Sequence, residues 1–274
     1  MGDTSKIEWT DSTFNPWIGC QHASPGCDHC YAEAQNAFRK WAADGAWGPH
    51  AARKRTSATN WKNPCLWNAD AKRFEREHGR RRRVFCASLA DVFDNKAPSP
   101  WRADLFNLIR ETPNLDWQIL TKRPQNIAKM LPADWDGGYP NVWLGTTTED
   151  EKHYRMRWPV LARIPAAVRF ISYEPAIGAI GALKLGGPVP DWVIAGGESG
   201  PKARTMQLVW AREVRDECRE FRIPFFFKQW GSRDSNPVTA EEDPATNGKG
   251  GGLLDGQLWR EFPDPTKRPR RVAA

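Results

Sequence analysis

Short apolar runs alternate with longer stretches of helical periodicity along most of the chain. This alternation limits the possible folds more than any other feature of the sequence. Six runs rich in β-branched and aromatic residues predict strands, at 84–88, 116–121, 141–145, 168–172, 192–195 and 224–228. Helical spacing marks the stretches 100–111, 124–131, 149–163 and 205–221, whereas the Gly-rich stretch between 175 and 190 predicts an irregular crossover. With 14–18 as a first strand, about seven strands result. We predict an α/β fold, a full or partial (β/α) TIM-type barrel of parallel strands.

The length of 274 residues suits one such domain with additions. We predict the barrel over residues 1–231, with a helix at 31–43 and a Trp-rich, basic insertion at about 44–82 that holds one helix near 69–78. Residues 232–274 are predicted to form a flexible loop, a small hairpin or docking segment at 253–263, and a basic tail.

Polar residues follow the predicted strands, and right-handed crossovers bring those strand ends to one rim of the sheet. Each alone has an ordinary explanation: Asp91 as a helix cap, Lys122 in an ion pair, Gly196 and Gly197 in a tight turn. Their convergence predicts a pocket for a polar ligand with several functional groups. The candidates are Ser88, Asp91, Lys122, Arg123, Thr146, Glu174, Gly196, Gly197, Glu198, Lys228 and Gln229.

Three cysteines, Cys20, Cys27 and Cys30, fall within eleven residues at the end of the first predicted strand. Three thiolates can hold three irons of a four-iron cluster and leave the fourth iron open, whereas a closed structural metal site normally takes four ligands. A zinc site that adds His22 or His29 as the fourth ligand remains an alternative. Cys86 and Cys218 are expected to be buried apolar residues, and Cys65 is unassigned.

The chain carries 40 Lys and Arg against 33 Asp and Glu, a net charge of +7. Basic clusters at 53–55, 80–83 and 267–271 favour contact with a polyanion such as nucleic acid, with solvated surface as the alternative. No apolar run of eighteen residues and no signal-peptide pattern occurs, and six cysteines are too few for a disulfide scaffold. We therefore expect a cytoplasmic protein without membrane contact.

Several specific strings indicate a family. They are Ile-Glu-Trp-Thr at 7–10, Asn-Pro at 15–16, the cysteine strings at 19–20 and 26–32, Leu-Thr-Lys-Arg-Pro at 120–124, Asn-Val-Trp-Leu-Gly at 141–145, and the segments 169–175, 191–200, 226–231 and 254–256. Over nearly its whole length the chain resembles a family of uncharacterised phage and prophage proteins with a three-cysteine motif, thought to be relatives of radical S-adenosylmethionine (radical SAM) enzymes.

The resemblance implies a partial barrel and a 4Fe-4S cluster held by Cys20, Cys27 and Cys30, with S-adenosylmethionine on the open iron. In this interpretation the cofactor is bound by Ser88, Asp91, Thr146, Glu174, Gly196, Gly197 and Glu198. Lys122, Arg123, Lys228 and Gln229 then meet a phosphate or another polar group of the substrate. The spacing C-x6-C-x2-C differs from the C-x3-C-x2-C of most radical SAM enzymes, and Gly-Gly-Glu at 196–198 follows a later strand than usual.

The leading hypothesis is therefore a radical SAM-like iron-sulfur enzyme that acts on a nucleic acid base, a nucleotide or another polar substrate and requires an external electron donor. A second hypothesis is a zinc-stabilised phage protein that binds nucleic acid or a protein partner without catalysis. A third is an iron-sulfur electron-transfer protein. The last two differ from the first in predicting no cleavage of S-adenosylmethionine.

Overall fold

A curled sheet of seven parallel strands forms a half-barrel in the computed structural model, which describes residues 4–42, 45–237 and 249–265. Each strand pairs with the next one in chain order, so the sheet contains no crossover of strand order. The strands are β1 (Ser12–Thr13), β2 (Arg82–Cys86), β3 (Leu115–Thr121), β4 (Val142–Thr147), β5 (Val168–Tyr173), β6 (Trp192–Gly196) and β7 (Phe225–Gln229). The predicted fold class is confirmed.

Helices connect the strands and cover the outer face of the sheet. They are α1 (Tyr31–Arg39), α2 (Ala58–Ala69), α3 (Ala71–His78), α4 (Ser99–Glu111), α5 (Ile127–Met130), α6 (Glu151–Leu161) and α7 (Leu208–Glu220). The start of α6 is set by Asp150, whose carboxylate accepts a hydrogen bond from the backbone N–H of His153 at 2.8 Å. Among the described residues, no helix is both long and apolar enough to cross a lipid bilayer.

Alternating residues of each strand build two separate apolar cores. One lies between the sheet and its helices and includes Trp117, Leu144 and Val193. The other fills the concave face and contains Trp9, Phe85, Trp143, Phe170, Trp192 and Phe226 with two aliphatic residues. Cys86 and Cys218 are buried in the outer core, as predicted.

The first predicted strand, 14–18, is displaced from the observed one. Ser12 and Thr13 pair with β2, and Phe14 N–H donates to the carbonyl of Phe85 at 3.0 Å. The pairing stops there because Pro16 has no N–H for a sheet hydrogen bond, and Trp17 and Ile18 instead pair antiparallel with Arg55 and Lys54. The helix predicted near 69–78 is α3, which begins at Ala71, whereas α2 (Ala58–Ala69) lies in the part of the insertion for which no helix was predicted. The helix predicted to 43 ends at Arg39, because Lys40 takes a left-handed conformation.

The other connections follow the sequence prediction. The stretch between Pro175 and Pro190 contains a single 3-10 turn, Leu183–Gly186, and no α-helix. Leu253–Leu254 and Gln257–Leu258 form a small antiparallel hairpin. The chain after it docks on β7, where Phe227 N–H donates to the carbonyl of Trp259 at 2.9 Å. Most of the predicted flexible loop and the basic cluster at 267–271 lie outside the described residues.

Candidate functional site

A cavity of about 210 Å³ lies at the carboxyl ends of the strands, where the loop that carries the three cysteines folds over the sheet. Most residues predicted for the site line this cavity. They are Cys20, Cys27, Cys30, Ser88, Asp91, Lys122, Arg123, Glu174, Gly197 and Glu198. The structure therefore brings together residues from the ends of β2, β3, β5 and β6 and from the cysteine loop, which we define as residues 20–30.

Four predicted residues lie elsewhere. Lys228 and Gln229 line a neighbouring groove and not this cavity. Thr146 is fully buried beneath the rim and donates to the carbonyl of Thr121 at 2.9 Å. Gly196 ends β6, and the next residue, Gly197, forms the cavity wall.

The cysteine loop contains a 3-10 turn over Pro25–Cys27 and ends at Cys30, the N-cap of α1. Burial raises the pKa of the Cys20 thiol to about 12, and burial also raises the pKa of Cys30. Both thiols are therefore protonated at neutral pH until a cation replaces the proton. None of the six cysteines, all within the described residues, forms a disulfide.

The first anchor of the cysteine loop is a buried ion pair between Arg123 and Asp91, whose side chains are 6% and 7% exposed. Arg123 Nη1 lies 2.8 Å from Asp91 Oδ2 and 3.7 Å from Sγ of Cys20, and Nη2 donates to the carbonyl of Gln21 at 2.6 Å. Thr121 Oγ1 donates to the other Asp91 oxygen at 2.7 Å. The strand ends thereby hold the entry of the loop and place a cation beside its first sulfur.

The second anchor is Glu149, which is fully buried after β4. One of its oxygens accepts a hydrogen bond from Ser24 in the loop, and the other accepts from Arg157 Nη1 of α6 at 2.7 Å. Gly26 packs so tightly on this carboxylate that a Cβ at that position would overlap it. The middle of the loop therefore rests directly on a buried acid.

The third anchor is Glu198, which follows β6. Arg204 forms an ion pair with both of its oxygens, and His29 Nδ1 lies 2.9 Å from Oε2. Burial alone would raise the pKa of Glu198, but the hydrogen bonds from Arg204 and His29 outweigh burial and lower that pKa to about 2. Arg204 also donates to the loop carbonyl of Pro25 at 2.9 Å, so this pair fixes the exit of the loop.

Glu174 and Lys228 form an ion pair at the boundary between the cavity and the neighbouring groove. Tyr31 lies at the same boundary and donates from its hydroxyl to the carbonyl of Ser88 at 2.6 Å. Lys122 also lines the cavity, with Nζ 3.4 Å from Oγ1 of Thr147. The cavity thus offers an anion at the end of β5 and a cation at the end of β3.

Sequence reasoning identified Asp91, Arg123 and Glu198 as site residues but missed Arg157 and Arg204, which also secure the loop, and part of the cavity wall. Arg157 shares the buried face of α6 with Tyr154 and Trp158, and a cation on such a face signals a buried acidic partner. Trp9 and Trp47 line the cavity, and their ring N–H groups have no hydrogen-bond partner among the described residues. Nothing in the local pattern distinguished these two among fifteen tryptophans.

Neither histidine of the zinc alternative is free of other contacts. His22 Nε2 lies 2.8 Å from Asp28, and His22 does not line the cavity. His29 is held by Glu198. Within the described parts of the chain, no three His, Cys, Asp or Glu side chains are grouped as ligands of a single metal ion.

The fold and the site define a class: a parallel (β/α) half-barrel with a thiol-lined cavity at the carboxyl edge of its sheet. The model of a family described as a protein of unknown function (DUF5131) matches residues 4–263, and the chain belongs to that family. No curated protein matches the chain, and no solved structure does.

Proposed function

We propose that the protein is a phage-type, radical SAM-like iron-sulfur enzyme that acts on a nucleic acid base, a nucleotide or another polar substrate. The observation that carries the proposal is the position of Cys20, Cys27 and Cys30 on the wall of one cavity at the carboxyl edge of a parallel half-barrel. This edge is where enzymes of related barrel architecture place their reacting groups.

The donor set suits a 4Fe-4S cluster. Three soft sulfur ligands would hold three irons, and the open fourth would bind S-adenosylmethionine. When bound and reduced by an external electron donor, this cofactor pair supplies a 5′-deoxyadenosyl radical that abstracts hydrogen from a substrate.

The residues of the chain position and tune such a cluster. The anchors Asp91–Arg123, Glu149–Arg157 and Glu198–Arg204 hold the entry, middle and exit of the cysteine loop. Buried carboxylates that are hydrogen-bonded on both oxygens keep their geometry, so the loop is ordered before any ligand binds. The guanidinium of Arg123 beside Cys20 opposes the effect of burial on the pKa of this thiol and so lowers the cost of the thiolate form that iron requires.

An amino-acid-like ligand needs a partner for its carboxylate and one for its ammonium. Lys122 and Glu174 line the cavity from the ends of β3 and β5 and provide this pair. Glu198 was the other candidate for the ammonium, but both of its oxygens already meet Arg204 and His29, whereas the ion pair of Glu174 with Lys228 engages Oε1. We therefore assign the ammonium contact to Glu174.

The test is anaerobic reconstitution of the full chain with iron and sulfide, followed by reduction and addition of S-adenosylmethionine. We expect brown protein with about four irons per chain and release of 5′-deoxyadenosine. Cys27→Ala should lose both iron and turnover, whereas the matched control Cys65→Ala, at an exposed position on α2, should keep both.

The two alternative functions give different results in the same experiment. Colourless protein that holds one zinc per chain would identify the zinc-stabilised binding protein and overturn the proposal. Brown protein that never releases 5′-deoxyadenosine, with any reductant, would identify the electron-transfer protein.

A further inference from the structure

The half-barrel is open along one side, between its first and last strands. β1 and β7 are the two edges of the sheet. A groove of about 1000 Å³ lies between them, with Thr13 of β1 on one side and Lys228 and Gln229 of β7 on the other. Residues 4–8 and the hairpin region from Lys249 to Arg260 complete its walls. We call this space the lateral groove.

The lateral groove leads directly to the cysteine cavity. Tyr31, Ser88 and Leu89 line both spaces. The ion pair of Glu174 with Lys228 connects the two spaces, since Glu174 lines the cavity and Lys228 lines the groove. A chain-like ligand in the groove therefore passes within reach of the cavity.

The groove carries an excess of positive charge. Among the described residues that line it, the charged side chains are four cations, Lys6, Lys228, Lys249 and Arg260, and one anion, Glu8. Arg260 pairs with Glu8 at 2.9 Å, and Lys228 pairs with Glu174. With Glu174 included, the described residues supply four cations and two anions, and Lys249 makes a further contact of its own. An open groove with this balance attracts a polyanion.

Two aromatic rings line the groove, and one of them, Tyr31, lies where the groove meets the cavity. Tyr31 is 46% exposed although it is a large ring, and Trp41 lines the groove on the same side. Tyr31 begins α1, and Trp41 follows its end, so both rings belong to the wall formed by this helix. Cationic side chains that follow a backbone, together with rings on which bases stack, are the usual means of binding single-stranded nucleic acid.

We propose that the lateral groove binds single-stranded nucleic acid, with phosphates near Lys6, Lys249 and Arg260 and a base against Tyr31 or Trp41. The delivery of one base to the cysteine cavity rests on the proposed function, whereas binding in the groove does not. A double helix fits this chemistry poorly, because its bases are already stacked and present no free face to the rings.

Fluorescence anisotropy with labelled oligonucleotides tests the binding. Single-stranded RNA, single-stranded DNA and a duplex of the same sequence are each titrated with the full chain at several salt concentrations. We expect single strands to bind at least tenfold more tightly than the duplex. With about three phosphates contacted, the logarithm of affinity should fall against the logarithm of salt with a slope of about −2. Preference for the duplex, or no single-strand binding at low salt, would overturn the proposal.

Charge reversals locate the site. Lys6→Glu combined with Lys249→Glu should weaken binding at least tenfold and reduce the magnitude of the salt slope by about 1.4, since each of two lost phosphate contacts contributes about 0.7. The matched control is Lys129→Glu with Lys152→Glu, at exposed positions on α5 and α6. Trp41→Ala should weaken binding about fivefold or more through lost stacking, with an unchanged salt slope. If the control pair weakens binding as much as the groove pair, net charge and not the groove is responsible.

A variant without the three thiols separates the two proposals. The variant Cys20→Ser, Cys27→Ser, Cys30→Ser should keep oligonucleotide affinity within about twofold, because its groove residues are intact. If this variant binds oligonucleotides and the reconstituted wild type does not cleave the cofactor, nucleic acid binding in the groove is supported and the proposed enzyme is rejected. Cofactor cleavage without oligonucleotide binding would reject the groove alone.

Discussion

Arg123 holds its Nη1 atom 3.7 Å from Sγ of Cys20, and the same nitrogen lies 2.8 Å from the carboxylate of Asp91. The first cysteine of the loop is thus tied to an ion pair that is almost completely buried. The arginine comes from the end of β3 and the aspartate from the loop after β2, so the position of Cys20 depends on the pairing of these strands. The same arrangement, a carboxylate paired with an arginine that contacts or supports the cysteine loop, occurs at Glu149 with Arg157 and at Glu198 with Arg204.

Arg123→Met should strongly destabilise the fold. Removal of one partner leaves the Asp91 charge buried and unpaired, which costs about 3–5 kcal/mol of the free energy of unfolding. Urea denaturation measures this loss. The matched control is Arg73→Met, whose partner Asp70 forms an exposed pair on the protein surface, and it should leave stability nearly unchanged. Equal effects of the two substitutions would show that the Asp91 pair has no special role.

Gly26→Ala should disturb the middle of the cysteine loop. An added Cβ overlaps the side chain of Glu149, so either the loop or the buried pair with Arg157 must move. We expect about 1–3 kcal/mol of lost stability and lower iron incorporation during reconstitution. Gly137→Ala is the control, because a Cβ there meets nothing within 4 Å. Normal iron content in Gly26→Ala would show that iron binding does not depend on the position of the middle of the cysteine loop.

The substitutions Glu174→Gln and Glu198→Gln distinguish contact with the ligand, expected of Glu174, from anchoring of the cysteine loop, expected of Glu198. Glu198→Gln should lower the free energy of unfolding by about 1–3 kcal/mol, because its contacts with Arg204 and His29 lose their charge. Glu174→Gln should weaken S-adenosylmethionine binding about tenfold or more with a smaller change in stability. Thermal unfolding and titration calorimetry measure the two effects. The reverse pattern would assign the ammonium contact to Glu198.

Asp116, near the start of β3, should make stability depend on pH. Burial raises its pKa to about 6, although Arg81 lies 3.4 Å away and acts in the opposite direction. In the unfolded chain the pKa is about 3.9, so between these values the folded state retains a proton that the unfolded state has lost. The contribution of Asp116 to the free energy of unfolding therefore falls as pH rises from about 4 to about 6 and is constant above.

Asp116→Asn isolates this effect, because amide nitrogen and oxygen replace the ionising group at nearly constant size. The stability of the variant relative to wild type should increase between pH 4 and 6, by up to roughly 3 kcal/mol from the difference in pKa. Urea denaturation at a series of pH values measures it. A relative stability that does not change with pH would show that Asp116 ionises in the fold as it does in the unfolded chain.

Local patterns were sufficient for the elements that repeat along the chain. The six runs from 84 to 228 correspond to β2–β7 within two residues at each end, because apolar and β-branched residues decide strand formation locally. Pro16 illustrates the limit: the run around it is apolar, but its missing N–H prevents continued pairing with β2. Helix α2 was not predicted, because Pro64 lies inside it and its apolar residues show little helical periodicity.

By itself, the sequence determined a barrel-type fold of about seven parallel strands, the three thiols and the polar strand ends, because these depend on spacing over a few residues. That the sheet forms a half-barrel and not a closed barrel was decided by the tertiary structure. Only the tertiary structure decided that Lys228 and Gln229 face a groove instead of the cavity, and that Arg123, Arg157 and Arg204 anchor the cysteine loop. Glu149 and Ser24 are separated by 125 positions, and no local periodicity links such residues. Their contact arises from the curl of the sheet, which brings distant strand ends to the same rim.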